Sequence, residues 1–242
     1  MSDPWIIDVG LHHGEDTDFY LKKGFRVVAI EANPRLAAKC RERFAGAIAE
    51  GRLEILEGAV SDEPGEIEFT VNLDKDDWSS LDPAVGGRQG TRTEVIRVPA
   101  IRFDEVLRAH APVRYIKCDI ERGDIFVINA LHRTGLCPPL FSVEAHEAEY
   151  LAHLAVLGYD RFKLVNQITN WQVKLPEPAL EGRYVEHTFP KHSSGAFGEE
   201  VPGAWMSFLE VAEVYASIRR LQRERPGLMA GYFDFHAKHR DA

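Results

Sequence analysis

Asp8, Gly10, His12 and Gly14 share one short stretch, Asp8-Val9-Gly10-Leu11-His12-His13-Gly14, between an apolar run and a helix-like segment. Small residues at such a junction let a ligand approach the backbone. Glu31 closes the next apolar run, with Asn33 just beyond. A carboxylate there can accept hydrogen bonds from both hydroxyls of a ribose. The pair points to a nucleoside site. A dinucleotide fits poorly, because His12 occupies the second glycine position of G-x-G-x-x-G and the helix begins Glu15-Asp16, whose charge repels a pyrophosphate. S-adenosylmethionine has no phosphate, and its sulfonium and ammonium groups are cations that an acid such as Asp8 attracts. Gly58 and Ala59 are small enough to leave a slot for adenine, with Asp62 a candidate for its amino group.

A second set of reactive side chains lies further on. Asp119 and Glu121 follow one apolar run, and Glu144 and His146 follow the next. In an open α/β sheet, such strand ends are where ligands bind. Any of Asp119, Glu121 and His146 could act as the base that activates an acceptor, since an unperturbed imidazole titrates near pH 6.5. Asp119 could also face the cofactor, and Glu144 could orient His146 or bind substrate. Asp119, Glu144 and His146 suit a divalent ion. No tight ligand spacing such as HExxH is present, and no metal is assigned. Trp78 and Ser80, in a polar loop, and His192, in a late polar and aromatic stretch, are further candidates for contact with the acceptor.

The elements that must position these groups alternate. Strands are expected at 5–9, 26–30, 53–56, 114–118, 140–143 and 161–165, and helices at 15–23, 34–44, 103–110, 124–133 and 148–157. The first two strands are apolar on both faces, as in a parallel sheet covered on both sides. Residues 66–71 and 94–98 alternate polar and apolar, with a Gly-rich loop between them. Residues 166–207 read as irregular, and Ser207 can cap a helix running to about residue 224. The expectation is one α/β domain, with 1–165 a cofactor-binding core and 166–242 an extension on the acceptor side, ending in a helical tail able to pair in a homodimer.

The stretch DVGLHHGEDTDFYLKKGFRVVAIEANP resembles the opening of the FkbM-type methyltransferases, a Rossmann-like, S-adenosylmethionine-dependent family. Glu57-Gly58-Ala59-Val60-Ser61-Asp62, Trp78-Ser79-Ser80-Leu81, Arg102-Phe103-Asp104-Glu105-Val106-Leu107 and Tyr115-Ile116-Lys117-Cys118-Asp119-Ile120-Glu121 resemble later family segments in order. The resemblance spans roughly residues 5–165. It implies a seven-stranded Rossmann-like, mostly parallel sheet with helices on both faces. It also implies methyl transfer, usually to a hydroxyl of a sugar or other small natural product and in some relatives to nitrogen, including in peptides. Two positions depart from the family pattern: His12 stands where Asn is frequent, and Arg122 stands where Gly usually follows the fourth-strand Glu.

Composition limits the alternatives. Lys+Arg is 29 against 38 Asp+Glu, a net charge of −9, which disfavours nucleic acid and anionic membranes. No apolar run approaches the roughly 18 residues of a membrane span. The opening MSDPWIIDVG does not read as a signal peptide. Cys40, Cys118 and Cys137 are odd in number and share no CxxC spacing, as expected of a reducing cytoplasm. The leading expectation is a small-molecule O-methyltransferase. The alternatives are an N-methyltransferase acting on a peptide or amine, an NAD-linked oxidoreductase, and a nucleoside-binding module without turnover.

Overall fold

A computed structural model describes residues 4–225 and 231–242; the first three residues of the opening segment lie outside it. In chain order the elements are β1 (Trp5–Val9), α1 (Glu15–Lys22), β2 (Arg26–Glu31), α2 (Pro34–Arg43), α3 (Ala45–Ala49), β3 (Leu53–Glu57), β4 (Ala59–Val60), β5 (Glu66–Asn72), α4 (Pro83–Gly86), β6 (Thr93–Ile101), α5 (Phe103–His110), β7 (Val113–Cys118), α6 (Asp124–Thr134), β8 (Leu140–Glu144), α7 (Glu149–Val156), β9 (Tyr159–Asn166), α8 (Phe208–Glu224) and β10 (Phe233–His239). The main sheet has seven strands in the order β3-β2-β1-β7-β8-β10-β9. β1 pairs in parallel with β2 and β7, β2 with β3, and β7 with β8, while β10 runs antiparallel to β8 and β9. This is the Rossmann-like, mostly parallel sheet expected from the sequence.

Alternate residues of each strand feed two cores, because side chains on a strand point to opposite faces in turn. Ile7, Val9, Val28, Ile30, Ile116 and Phe141 pack on one face against α5, α6 and α7. Ile6, Val27, Ala29, Tyr115 and Leu140 pack on the other against Phe19, Tyr20 and Phe44. The irregular stretch after β9 completes that second layer without an α-helix. Phe189, Ala196 and Phe197 are buried in it, and Phe197 stacks on Tyr115 at 4.7 Å.

One expectation is corrected. The chain does not end in a helical tail: β10 follows α8 and enters the main sheet between β8 and β9. The sheet is therefore completed from beyond residue 165, where the expected core ended. α8 does form, closed by a capping box between Ser207 and Glu210, but only one stripe of it is buried, at Val211 and Tyr215. The alternating segments 66–71 and 94–98 pair with each other as β5 and β6 and join β4 in a separate three-stranded sheet. Residues 73–92 loop out from it and arch over the carboxyl ends of the main strands. Among the described residues, no helix is long and apolar enough to cross a membrane, and all three cysteines are free.

Candidate active site

A cavity of ≈ 1350 Å³ opens at the carboxyl ends of β1, β2, β7 and β8, under the loop that joins β5 to β6. Its volume exceeds the roughly 300–1,000 Å³ that holds one drug-sized ligand. Gly10, His12, Glu31, Gly58, Ala59 and His192 line one end, and Asp119, Glu121, Glu144 and His146 line the other.

The first end is built largely from backbone. Gly10 has φ +93, a left-handed value that glycine tolerates, and a Cβ there would sit 2.0 Å from the Asp119 carbonyl oxygen. This close approach fastens the loop after β1 to the end of β7. The Glu31 carboxylate accepts the His12 N–H at 2.7 Å and the Asn33 N–H at 2.8 Å, one on each oxygen. Burial pushes it up to about 7, against those two N–H groups. A carboxylate has about four acceptor positions, so Glu31 retains capacity for the two hydroxyls of a ribose. Beside it, Ala32, Leu36, Ala59, Val60 and Phe69 form an apolar slot.

Several expected cofactor ligands do other work. Asp8 lies beneath the loop, fully buried and off the cavity wall, where it accepts the Thr17 hydroxyl at 2.7 Å and pairs with Lys117 at 3.2 Å. It neutralises a buried lysine and is not placed to meet a cationic ligand. Lys117 also donates to the Gly10 carbonyl at 2.7 Å. Burial alone would lower its pKa, but Asp8, Asp119 and Asp16 hold it well above the ordinary value. Gly14 begins α1 against Phe44, where a Cβ would meet the ring at 2.5 Å. Asn33 caps α2 by accepting the Arg35 N–H. Asp62 pairs with Arg133 at 2.8 Å, away from the cavity. Asp119 is the carboxylate that faces the cavity near the loop, and its side chain has no hydrogen-bond or ion-pair partner among the described residues.

The second end is built from side chains. His146 Nε2 lies 2.9 Å from Glu144 and 3.9 Å from Glu121. Burial alone would lower the imidazole's pKa, but the adjacent Glu144 carboxylate and the nearby Asp124 and Glu121 outweigh it and bring it up to about 9. Burial, reinforced by Asp119, raises Glu144. Glu121 takes a bidentate grip from Arg88, at 2.7 and 3.0 Å, and its carbonyl accepts the Ser80 hydroxyl at 2.8 Å. Both of its carboxylate oxygens are thus committed to the loop, which argues against Glu121 as a free base. Glu121 and Arg122 both have left-handed backbones, with φ 50 and 74. The turn therefore keeps at Arg122 a conformation that suits the family's glycine, held by Asp124, which accepts the N–H groups of Ile120 and Arg122.

Ser80 is buried behind the wall and fastens Glu121, so it does not meet the acceptor. Trp78 is only 7% exposed, and its ring already carries the Lys75 ammonium at 3.7 Å and the Arg88 guanidinium at 4.1 Å. The open aromatic surfaces on the cavity are Trp171 and Tyr232, exposed by 64% and 59%, which the sequence analysis did not select. The only signal for them was an aromatic residue in a polar, irregular context. His192 does line the cavity, 3.5 Å from Asp77.

A parallel sheet whose first crevice holds a glycine loop and, at the next strand end, a buried acid with spare acceptor capacity has the architecture of nucleoside-binding α/β folds. The model of the methyltransferase FkbM domain matches residues 8–213, and the chain belongs to that family. It is a methyltransferase with S-adenosylmethionine as its cofactor. The residues present fit that group: Glu31 has spare acceptor capacity, Asp119 is an unpaired acid, and no basic residue opens α1. No curated protein matches the sequence. Similar solved structures include an rRNA methylase from Streptococcus thermophilus (10% identity, 98% of this chain and 87% of that one, TM-score 0.41). A SAM-dependent methyltransferase from Archaeoglobus fulgidus is 14% identical, over 98% of this chain and 86% of that one, with TM-score 0.40. One from Geobacter sulfurreducens, in complex with S-adenosyl-L-homocysteine, is 14% identical, over 98% and 85%, with TM-score 0.37.

Proposed function

We propose that the enzyme methylates a hydroxyl group of a small molecule. The observation that supports this most directly is the Glu144–His146 pair on the cavity wall, beyond Asp119 as seen from the glycine loop. A hydroxyl is a weak nucleophile unless its proton is taken as it attacks, and an imidazole backed by a carboxylate does this. When bound, S-adenosylmethionine supplies an electrophilic methyl group on a sulfonium.

Each neighbouring residue then has a task. Glu31 holds the ribose, and Asp119 attracts the cationic amino-acid end of the cofactor. His146 receives the acceptor's proton on the ring nitrogen that Glu144 does not face, and Glu144, beside Nε2, stabilises the imidazolium so formed. Arg88 keeps Glu121 and the loop above it in place, limiting water around the reacting atoms. Trp171 and Tyr232 offer flat apolar faces of the kind that pack on sugar rings.

The test is turnover of S-adenosylmethionine with a panel of hydroxylated small molecules against amines and peptides, read by mass spectrometry. Methylated oxygen is expected. Methylation confined to nitrogen would overturn the acceptor assignment and leave the methyltransferase intact.

A further inference from the structure

We propose that His12, His13 and Asp76 form a binding site for a divalent transition ion of the zinc class, joining the glycine loop to the loop between β5 and β6. The donor atoms of these three residues lie within 4.8 Å of one another. The two carboxylate oxygens of Asp76 divide between the imidazoles: Oδ1 is 3.1 Å from His12 Nε2, and Oδ2 is 3.0 Å from His13 Nε2. Neighbouring ligand atoms around an ion with bonds of about 2.0–2.2 Å lie roughly 3 Å apart, so small movements admit the ion.

The local backbone explains why two consecutive histidines converge. His12 has a left-handed φ of 53, which turns its ring toward that of His13, with centroids 4.2 Å apart. Behind His12, the other ring nitrogen faces the Glu15 carboxylate at 3.9 Å, the position of a carboxylate that orients a ligating imidazole. His192 lies within reach as a further donor, its ring 5.9 Å from that of His12.

Charge favours a cation here. Among the described residues, Asp76 is paired with no lysine or arginine. Its neighbours Asp74 and Asp77 are engaged by Arg92 and His192, and Lys75 lies on Trp78. His13 and Asp76 are 41% and 44% exposed, so an ion can enter from solvent. Two imidazoles with one carboxylate suit zinc or its neighbours in the transition series, whereas magnesium and calcium prefer oxygen ligands. The cluster of Glu121, Glu144 and His146 is comparably tight but lacks this character, because the Arg88 guanidinium already occupies both oxygens of Glu121.

The ion would act as a clip. It would link residues 12 and 13, beside the cavity's nucleoside end, to a loop segment otherwise fastened to the core mainly through Arg88 and Ser80. The role is independent of which acceptor is methylated.

The experiment uses the full chain without a histidine tag, stripped with chelator and titrated with zinc by calorimetry and with Co²⁺ by visible absorption. One ion per chain is expected, with Co²⁺ bands and no competition from magnesium. His13→Gln and Asp76→Asn should each weaken zinc binding by about 100-fold or more, since each removes a ligand. Both side chains are at the surface, and unchanged circular dichroism would show that the variants are folded. His153→Ala, which removes half of the exposed His132–His153 pair at 3.2 Å, should leave binding unchanged. Zinc should also slow trypsin cleavage at Lys75 in the intact protein. Failure of the stripped protein to bind zinc would overturn the site, as would binding undiminished in His13→Gln and Asp76→Asn.

Discussion

The two ends of the cavity are made differently. At the nucleoside end, Gly10, Glu31 and Ala59 are set by backbone turns and by hydrogen bonds to main-chain N–H groups, all within the first 60 residues. At the acceptor end, Arg88, Glu121, His146, Trp171 and Tyr232 arrive from five separate segments. A wall of independent side chains can change its specificity by substitution while the fold persists, whereas a backbone-built cradle cannot. Cofactor and acceptor recognition should therefore be separable by mutation.

The sharpest test is His146→Ala. It should lower kcat by about 10²–10⁴-fold if the imidazole is the base, with cofactor affinity unchanged by calorimetry. In the native enzyme, kcat should rise with pH toward about 9, as His146 loses its proton. A full rate in the variant would mean that the acceptor needs no base. Glu31→Ala should act at the other end, weakening cofactor binding by about 10–100-fold, since a hydrogen bond to a charged group contributes about 1.5–3 kcal/mol. Its kcat at saturating cofactor should stay close to native. A loss of kcat as large as that of His146→Ala would erase the distinction between the ends.

Two smaller effects probe the scaffold beneath the acceptor end. His236 on β10 is buried, and burial with the nearby Lys163 depresses its pKa from 6.5 to about 3. The folded state keeps it neutral, so its contribution is present above pH 6.5 and lost as pH falls toward 3. Melting temperature should therefore fall on acidification from pH 6.5, and less steeply in His236→Leu. At the turn after β7, Arg122→Gly should raise stability by about 1 kcal/mol by relieving a left-handed backbone at a non-glycine residue, read from denaturant midpoints. Its exposed contact with Glu147, at 4.0 Å, gives little to lose.

The same division governs what the sequence discloses. Strands β1 to β3 and β7 to β9, with helices α1, α2, α6 and α7 between them, are legible from apolar runs and turn residues, and so is the position of Gly10 and Glu31 at neighbouring strand ends on the cavity. β10 was not, although FDFHAKH alternates with period two. Its polar face, Asp234 and His236, is buried instead of solvated, and Gln167 donates to one oxygen of Asp234 at 2.7 Å. From sequence alone Asp8 suits a cationic ligand, because its partner Lys117 lies 109 residues away and only the sheet brings them together. Trp78 and Ser80 had the right residue types, but their contacts with Arg88 and Glu121 turn them into supports. Local pattern reports elements and backbone turns; it does not report which long side chains meet across loops.

The position of β10 constrains how the molecule can be made. While a ribosome is still extending the chain, β8 and β9 each present a bare edge that no earlier segment satisfies. The nucleoside half can settle as soon as β7 has emerged, but the other half must wait for seven residues near the far end of this sequence. A transcript cut short after α8 would leave those edges open to neighbouring chains, and its product would be prone to aggregate.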